Sequence, residues 1–313
     1  MSTATRMFDT FPVVPPVSLD EYAQMLLDPE TLTQGFRKLT TELGQLRATR
    51  SKEEWSDYVR AFRDHFITTV LHQDPFTLRG FRKPRGYAGD AVLIDMIYGS
   101  GEGEHLLAKA TSVGQQIYEV AMTVPTIQAT RGRRNFLASY LDEFCAQRTR
   151  PHILSVACGH LREAELSKAV GAEMVGRFVG IDQDRRSLRV IQRSQPGVEC
   201  IAGSIEDLME SAIHPGNFDF IYTTGLYDYL DDEIGARLLH TLIRMINPGG
   251  RILVANFIPD VYGAGYMEAA MDWWLVYRQP EHLLKLADKL PGVVSKRAFR
   301  DSFDHLAYLE VQF

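Results

Sequence analysis

The sequence predicts an α/β chain: a doubly wound, mostly parallel sheet in its second half, joined to a helical module in its first. Three observations predict it. From Pro151 onward, short apolar runs alternate with helical patterns, the signature of βαβ units. The first run, Ile153-Leu154-Ser155-Val156, leads straight into the turn Ala157-Cys158-Gly159-His160. Before residue 150 almost nothing has strand texture, and apolar residues recur at helical spacing.

In order, residues 1–17 are polar and then Pro-rich (Pro12, Pro15, Pro16), which predicts an extended arm. Residues 18–150 are expected to form the helical module and 151–313 the α/β domain. Ser18 followed by Glu21 has the form of a capping box opening a helix around Asp20 to Leu27. Pro29 to Gln45 and Lys52 to Leu71 follow as helices. Trp55, Val59, Phe62, Phe66 and Val70 make one core-facing stripe on the second. Asp74 to Asp90 breaks the pattern with Pro75, Gly80, Pro84, Gly86 and Gly89. Helices are expected again over Ala91–Tyr98, Glu104–Met122 and Thr126–Gln147. Strands are expected at His152–Cys158, Phe178–Asp182, Val198–Ile201, Phe218–Thr223 and Arg251–Phe257, with Phe299–Phe303 and Ala307–Val311 as an antiparallel closing pair.

The 313 residues are 45% hydrophobic and 24% charged, with a formal net charge of -6. That balance argues against nucleic acid as a partner, since phosphate binding wants clustered Lys and Arg. The small basic clusters Arg79 to Arg85 and Arg131 to Arg134 fit a solvated face. Three cysteines (Cys145, Cys158, Cys200) without CxxC spacing predict neither disulfides nor a metal site and point to the cytoplasm. Met1 to Pro16 lacks the pattern of a signal peptide, and no stretch has the apolar length of a membrane span.

A glycine in the first strand-to-helix turn lets a ligand approach the backbone, and Gly159 stands there alone where two or three are usual. The next strand, Phe178-Val179-Gly180-Ile181-Asp182, ends in an acidic residue twenty-three positions later, the spacing of a ribose-binding carboxylate. Gly203-Ser204-Ile205 follows the third strand, where adenine-edge contacts are expected, and Asn247-Pro248-Gly249-Gly250 turns into the fifth. In order and spacing this set resembles the class I S-adenosylmethionine (SAM)-dependent methyltransferases over residues 150–313. The resemblance implies a Rossmann-like sheet with SAM as cofactor, held by Ala157, Gly159, Asp182, Gln183, Ser204, Ile205 and Thr224.

Lys83-Pro84-Arg85-Gly86-Tyr87-Ala88-Gly89-Asp90, Ser155-Val156-Ala157-Cys158-Gly159 with Arg162-Glu163, and Gly225-Leu226-Tyr227-Asp228-Tyr229-Leu230 narrow the resemblance, which extends to Met271-Asp272-Trp273-Trp274. Together they are similar to the bacterial 3-hydroxypalmitic acid methyl ester biosynthesis methyltransferases, from which His160 and Leu161 depart. That likeness implies an N-terminal module that folds over the cofactor as a lid. Tyr87 and Gly89 would then cover the cofactor, and Asp90 would either meet its ammonium or cap a helix.

Methyl transfer needs a nucleophile held in line and water excluded rather than extensive acid–base machinery. Tyr222, Tyr227 and Tyr229 follow the fourth strand at the active-site edge and offer faces to a sulfonium. Trp273 and Trp274 are candidates to roof an acceptor pocket. Arg131, Arg133 and Arg134 are candidates to hold an acceptor carboxylate. His160 reads as structural. Three functions compete: methylation of a small carboxylate or hydroxyl metabolite; cyclisation of SAM to azetidine-2-carboxylate, with Tyr87, Asn135 or Ser204 orienting its amine; and SAM binding without turnover. Oligomeric state is not legible.

Overall fold

The computed structural model describes residues 18–101 and 103–313; the expected arm over 1–17 lies outside the described residues. The first part is helical: α1 (Leu19–Leu27), α2 (Leu32–Thr49), α3 (Lys52–Asp64), α4 (Phe66–Leu71), α5 (Pro75–Arg82), α6 (Ala91–Tyr98), α7 (Gly103–Leu107), α8 (Ser112–Ala121) and α9 (Pro125–Ala146). The capping box of Ser18 and Glu21 is present.

Local chemistry explains where these helices depart from expectation. The helix expected over Lys52–Leu71 breaks at His65, which turns extended and accepts the Ile67 N–H on its own ring nitrogen. The stripe therefore loses Phe66, which is 57% exposed. Within the glycine- and proline-marked segment, Asp74 caps α5 and Pro75 takes its first turn, where a missing N–H costs nothing. The helix expected over Glu104–Met122 divides into α7 and α8, the second capped by Thr111.

The chain then alternates: β1 (His152–Val156), α10 (Arg162–Leu166), α11 (Lys168–Gly171), β2 (Arg177–Asp182), α12 (Arg185–Ser194), β3 (Val198–Ala202), α13 (Ile205–Met209), β4 (Phe218–Thr223), α14 (Asp232–Ile243), β5 (Ile246–Phe257), α15 (Ala264–Met271), α16 (Pro280–Leu286), β6 (Ser295–Arg300) and β7 (Leu306–Gln312). The seven strands lie in the order β3-β2-β1-β4-β5-β7-β6. β1 pairs in parallel with both β2 (Leu154 opposite Val179) and β4 (Leu154 opposite Ile221). β7 runs antiparallel between β5 and β6. Strand order reverses beside β1, so a crevice opens at the C-terminal ends of β1 and β4, the ligand position of doubly wound sheets.

The hydrophobic cores do not divide at residue 150. One sheet face packs against Leu137, Leu141 and Phe144 of α9, and the other against Leu238, Leu239 and Leu242 of α14. The helical core of Phe36, Trp55, Phe62 and Leu71 takes in Tyr266, Met267 and Met271 of α15. Buried Glu268 fixes that exchange: its carboxylate accepts from Arg47 Nε at 2.8 Å and from Trp55 Nε1 at 2.7 Å. The helical module is thus tied to the sheet domain on both sides of the crevice.

Candidate active site

A cavity of about 360 Å³ fills the crevice and runs from Asp182 and Gln183 across the turn after β1 to Thr224, Tyr229 and Trp273. The turn is unusual in its backbone. Ala157, Gly159 and Leu161 all have positive φ, at 53°, 55° and 53°. Such conformations cost a residue with a side chain on the order of 1 kcal/mol or more, so surrounding contacts must hold them.

Asp182 supplies one such contact. Its Oδ2 accepts the Gly159 N–H and its Oδ1 the Asp184 N–H, both at 2.8 Å. Burial pushes its carboxyl pKa up, against those two backbone bonds. Each oxygen keeps lone-pair capacity toward the cavity, which suits a ribose diol. Ser204 caps α13 through the Asp207 N–H, and Gly203, Ser204 and Ile205 line the adjoining wall. An acidic strand end, a turn without side-chain bulk at Gly159 and an open wall at Ile205 fit SAM. Ala157, Gln183 and Thr224 line the same cavity.

The roof is aromatic. The Tyr87 and Tyr229 rings meet edge to face with centroids 6.2 Å apart, and Trp273 Nε1 donates to the Tyr229 hydroxyl at 2.8 Å. Gly89 lies against both Tyr229 and Trp273. Burial raises the Tyr87 and Tyr229 hydroxyls far above the usual phenol range, so both stay protonated as hydrogen-bond donors.

Beyond the turn lies a polar floor. Arg133, buried in α9, donates through Nη1 to the Thr224 carbonyl at 2.5 Å. Glu163 accepts the Tyr222 hydroxyl at 2.8 Å, and burial pushes its carboxyl up. Asp228 follows β4. Its Oδ1 accepts from Asn256 Nδ2 at 2.9 Å and the Phe257 N–H at 2.7 Å, and burial pushes its pKa to about 6. Asp228 Oδ2 has no hydrogen-bond partner among the described residues. Tyr98, Thr130, Leu137 and Leu275 complete this end.

Several candidates lie elsewhere. Asp90 caps α6 through the Val92 and Leu93 N–H groups and pairs bidentately with Arg79 at 2.8 and 2.7 Å, so its carboxylate is already committed. Tyr227 points to the opposite face of the sheet, where its hydroxyl donates to the Gly235 carbonyl. Tyr222 is buried behind the cavity wall, and its hydroxyl donates to Glu163, which lines the cavity. Asn135 is exposed on the outer side of α9. Arg131 is spent on the Ile97 and Met122 carbonyls, and Arg134 stacks on Tyr98, its guanidinium carbon 4.3 Å from the ring centroid. Trp274 is 44% exposed and donates to Asp272. Of the three arginines only Arg133 lines the cavity, because one helical step of about 100° separates the faces of neighbours.

Tyr98 and the pairing of Asp95 with His160 escaped the sequence reading, and Glu163 and Asp228 entered it only inside motifs, with no role of their own. Asp228 stood between two tyrosines that were singled out; the single 3₁₀ turn at 227–229 sends Tyr227 away and leaves Asp228 and Tyr229 on the cavity side.

Comparison with known proteins bears on the fold and on one domain. A family model described as "Methyltransferase domain" matches residues 154–254. The curated proteins give no significant match. Among solved structures, a possible exported protein of Bordetella parapertussis aligns at 16% identity over 85% of this chain and 98% of its own, with a TM-score of 0.58. The magnesium protoporphyrin IX methyltransferase ChlM of Synechocystis aligns at 14% identity over 75% and 97%, TM-score 0.48. The N-methyltransferase NodS of Bradyrhizobium japonicum aligns at 18% over 61% and 88%, TM-score 0.42. Among the described residues, no helix is long and apolar enough to cross a membrane, and no group of three His, Cys, Asp or Glu is placed to hold a metal. Residues 154–254 match a methyltransferase domain, which makes the chain an enzyme of the methyltransferase type, built on a Rossmann-like α/β sheet.

Proposed function

We propose that this chain transfers the methyl group of SAM to a hydroxyl or carboxyl of a small metabolite, in specialised or signal biosynthesis. One observation carries the proposal: a single cavity joins a cofactor cradle at Asp182 and Gly159 to a polar floor of Arg133, Glu163 and Asp228. SAM supplies an electrophilic methyl group. The protein's own residues position and shield. Tyr87, Gly89, Tyr229 and Trp273 exclude water from above. Arg133 presents a guanidinium to an anionic group of the acceptor, and Asp228 Oδ2 is the free base to receive a proton from a hydroxyl. The helical module serves as the lid. Net charge -6 and three free cysteines favour a small-molecule partner, not nucleic acid or membrane, in the cytoplasm.

A second reading has an observation of its own. About 360 Å³ is at the small end for ligand pockets, leaving little room beside SAM, as cyclisation of SAM to azetidine-2-carboxylate would require. Incubation with SAM, alone and with a panel of small alcohols and carboxylic acids, separates the two by mass spectrometry. S-adenosylhomocysteine appearing only with an acceptor supports methyl transfer. Methylthioadenosine with azetidine-2-carboxylate from SAM alone supports cyclisation. Tight SAM binding with neither product would leave a binding protein without turnover.

A further inference from the structure

His160 occupies the position after Gly159, in the middle of the left-handed turn, and its side chain does not face solvent. Nδ1 lies 2.8 Å from Asp95 Oδ2, and both side chains are 1% exposed. Asp95 belongs to α6 of the helical module. The same carboxylate accepts Arg162 Nε at 2.8 Å and Nη2 at 2.7 Å, and Arg162 opens α10 directly after the turn. Gly101, at φ 68°, passes so close that a Cβ there would lie 2.4 Å from Asp95 Oδ2. On its other side, His160 Nε2 lies 3.3 Å from Arg85 Nη1. Arg85, from the Gly86–Gly89 loop, also donates to Asp184 at 2.8 Å and Ser187 at 2.9 Å at the start of α12.

The turn that cradles the cofactor is therefore held from two directions. Asp182 fixes Gly159 from within the sheet, and Asp95 fixes His160 and Arg162 from the helical module. Two non-glycine residues, Ala157 and Leu161, sit at positive φ in this turn, so it relaxes when either hold is lost.

We propose that His160 is a positioning residue that couples the helical module to the cofactor turn, so that the closed Gly86–Gly89 loop and the cofactor-competent turn form one state. The proposal rests on the cofactor assignment above. His160 acts through backbone it holds in place, not through contact with reacting atoms.

The test uses the full chain and S-adenosylhomocysteine as the probe, with affinity from calorimetry and hydrogen exchange over residues 83–90 and 157–161. In His160→Ala, affinity falls roughly 10- to 100-fold, as expected for losing a buried charge-assisted hydrogen bond, and exchange rises in both segments together. His160→Asn keeps a donor for Asp95 and recovers most of the affinity. Arg85→Met keeps the turn tied to α6 and gives a smaller, several-fold loss with faster exchange in 83–90. Should His160→Ala fail to fold, the Asn and Arg85 variants carry the test alone. Wild-type affinity in His160→Ala or in Arg85→Met, or lost affinity with unchanged exchange over 83–90, overturns the coupling while leaving the cofactor assignment intact. A wild-type chain that does not bind S-adenosylhomocysteine overturns both.

Discussion

Trp273 donates its indole N–H to the Tyr229 hydroxyl at 2.8 Å, bridging a residue that follows α15 to one that follows β4. α15 packs with the helical core, so this bond clamps the helical module onto the active-site edge of the sheet. Gly89 sits where any side chain would collide with the clamp.

Gly89→Ala tests how tight the clamp is. A Cβ would lie 2.5 Å from both Trp273 Cζ2 and Tyr229 Oη, too close for either to stay in place. Overpacking of this kind costs about 1–3 kcal/mol. Placed at the roof, that cost should fall on closure, lowering S-adenosylhomocysteine affinity roughly 10-fold with a small change in melting temperature. Calorimetry with thermal unfolding checks it; unchanged affinity would mean that the roof is open when the ligand is bound.

Asp182→Ala removes the carboxylate that accepts the Gly159 N–H and faces the cavity. S-adenosylhomocysteine binding should fall at least 100-fold, because a charged hydrogen-bond acceptor and the turn's inner support vanish together. Near-normal affinity by calorimetry would refute the cofactor assignment.

The sheet was legible because its strands are short apolar runs whose alternation with helical patterns marks βαβ units. Asp182 and Gly159 were legible for a related reason: sheet order places the ends of adjacent parallel strands side by side. The cavity floor was not. Arg133, Glu163 and Asp228 come together only when α9, α10 and the turn after β4 converge, and no local pattern records that convergence. Of the two readings open for Asp90 the structure shows the helix cap, and Tyr227 misled because its residue type suits the chemistry while a buried carbonyl claims it first. The break at His65 was hidden because a histidine ring satisfies the helix N-terminus that the spacing alone would run through.

Asp90→Asn separates a structural role from a cofactor-contacting one. The carboxylate is fully buried, caps α6 and pairs bidentately with Arg79. Neutralising it leaves the Arg79 charge without its partner, a loss of about 3–5 kcal/mol when such pairs are buried. The melting temperature should drop by roughly 5–10 °C. At a temperature where the variant is folded, its S-adenosylhomocysteine affinity should stay within a few-fold of wild type. A large affinity loss with little change in melting would instead put Asp90 on the ligand.

Asp228 makes stability depend on pH in a direction opposite to that of a salt-bridged carboxylate. Burial raises it from an ordinary 3.8 to about 6. The folded chain thus holds this proton more tightly than the unfolded one. The resulting stabilisation is fully present below about pH 4 and is lost as pH rises through about 6. A shift of this size corresponds to about 2–3 kcal/mol. Asp228→Asn keeps an oxygen for the Asn256 and Phe257 donors but has no proton to lose. Its melting temperature, measured against wild type, should therefore improve by several degrees between pH 4 and pH 7. A difference that does not change with pH would show that Asp228 ionises in the folded chain as an ordinary carboxylate. It would then be too weak a base to take a proton from an acceptor hydroxyl near neutral pH.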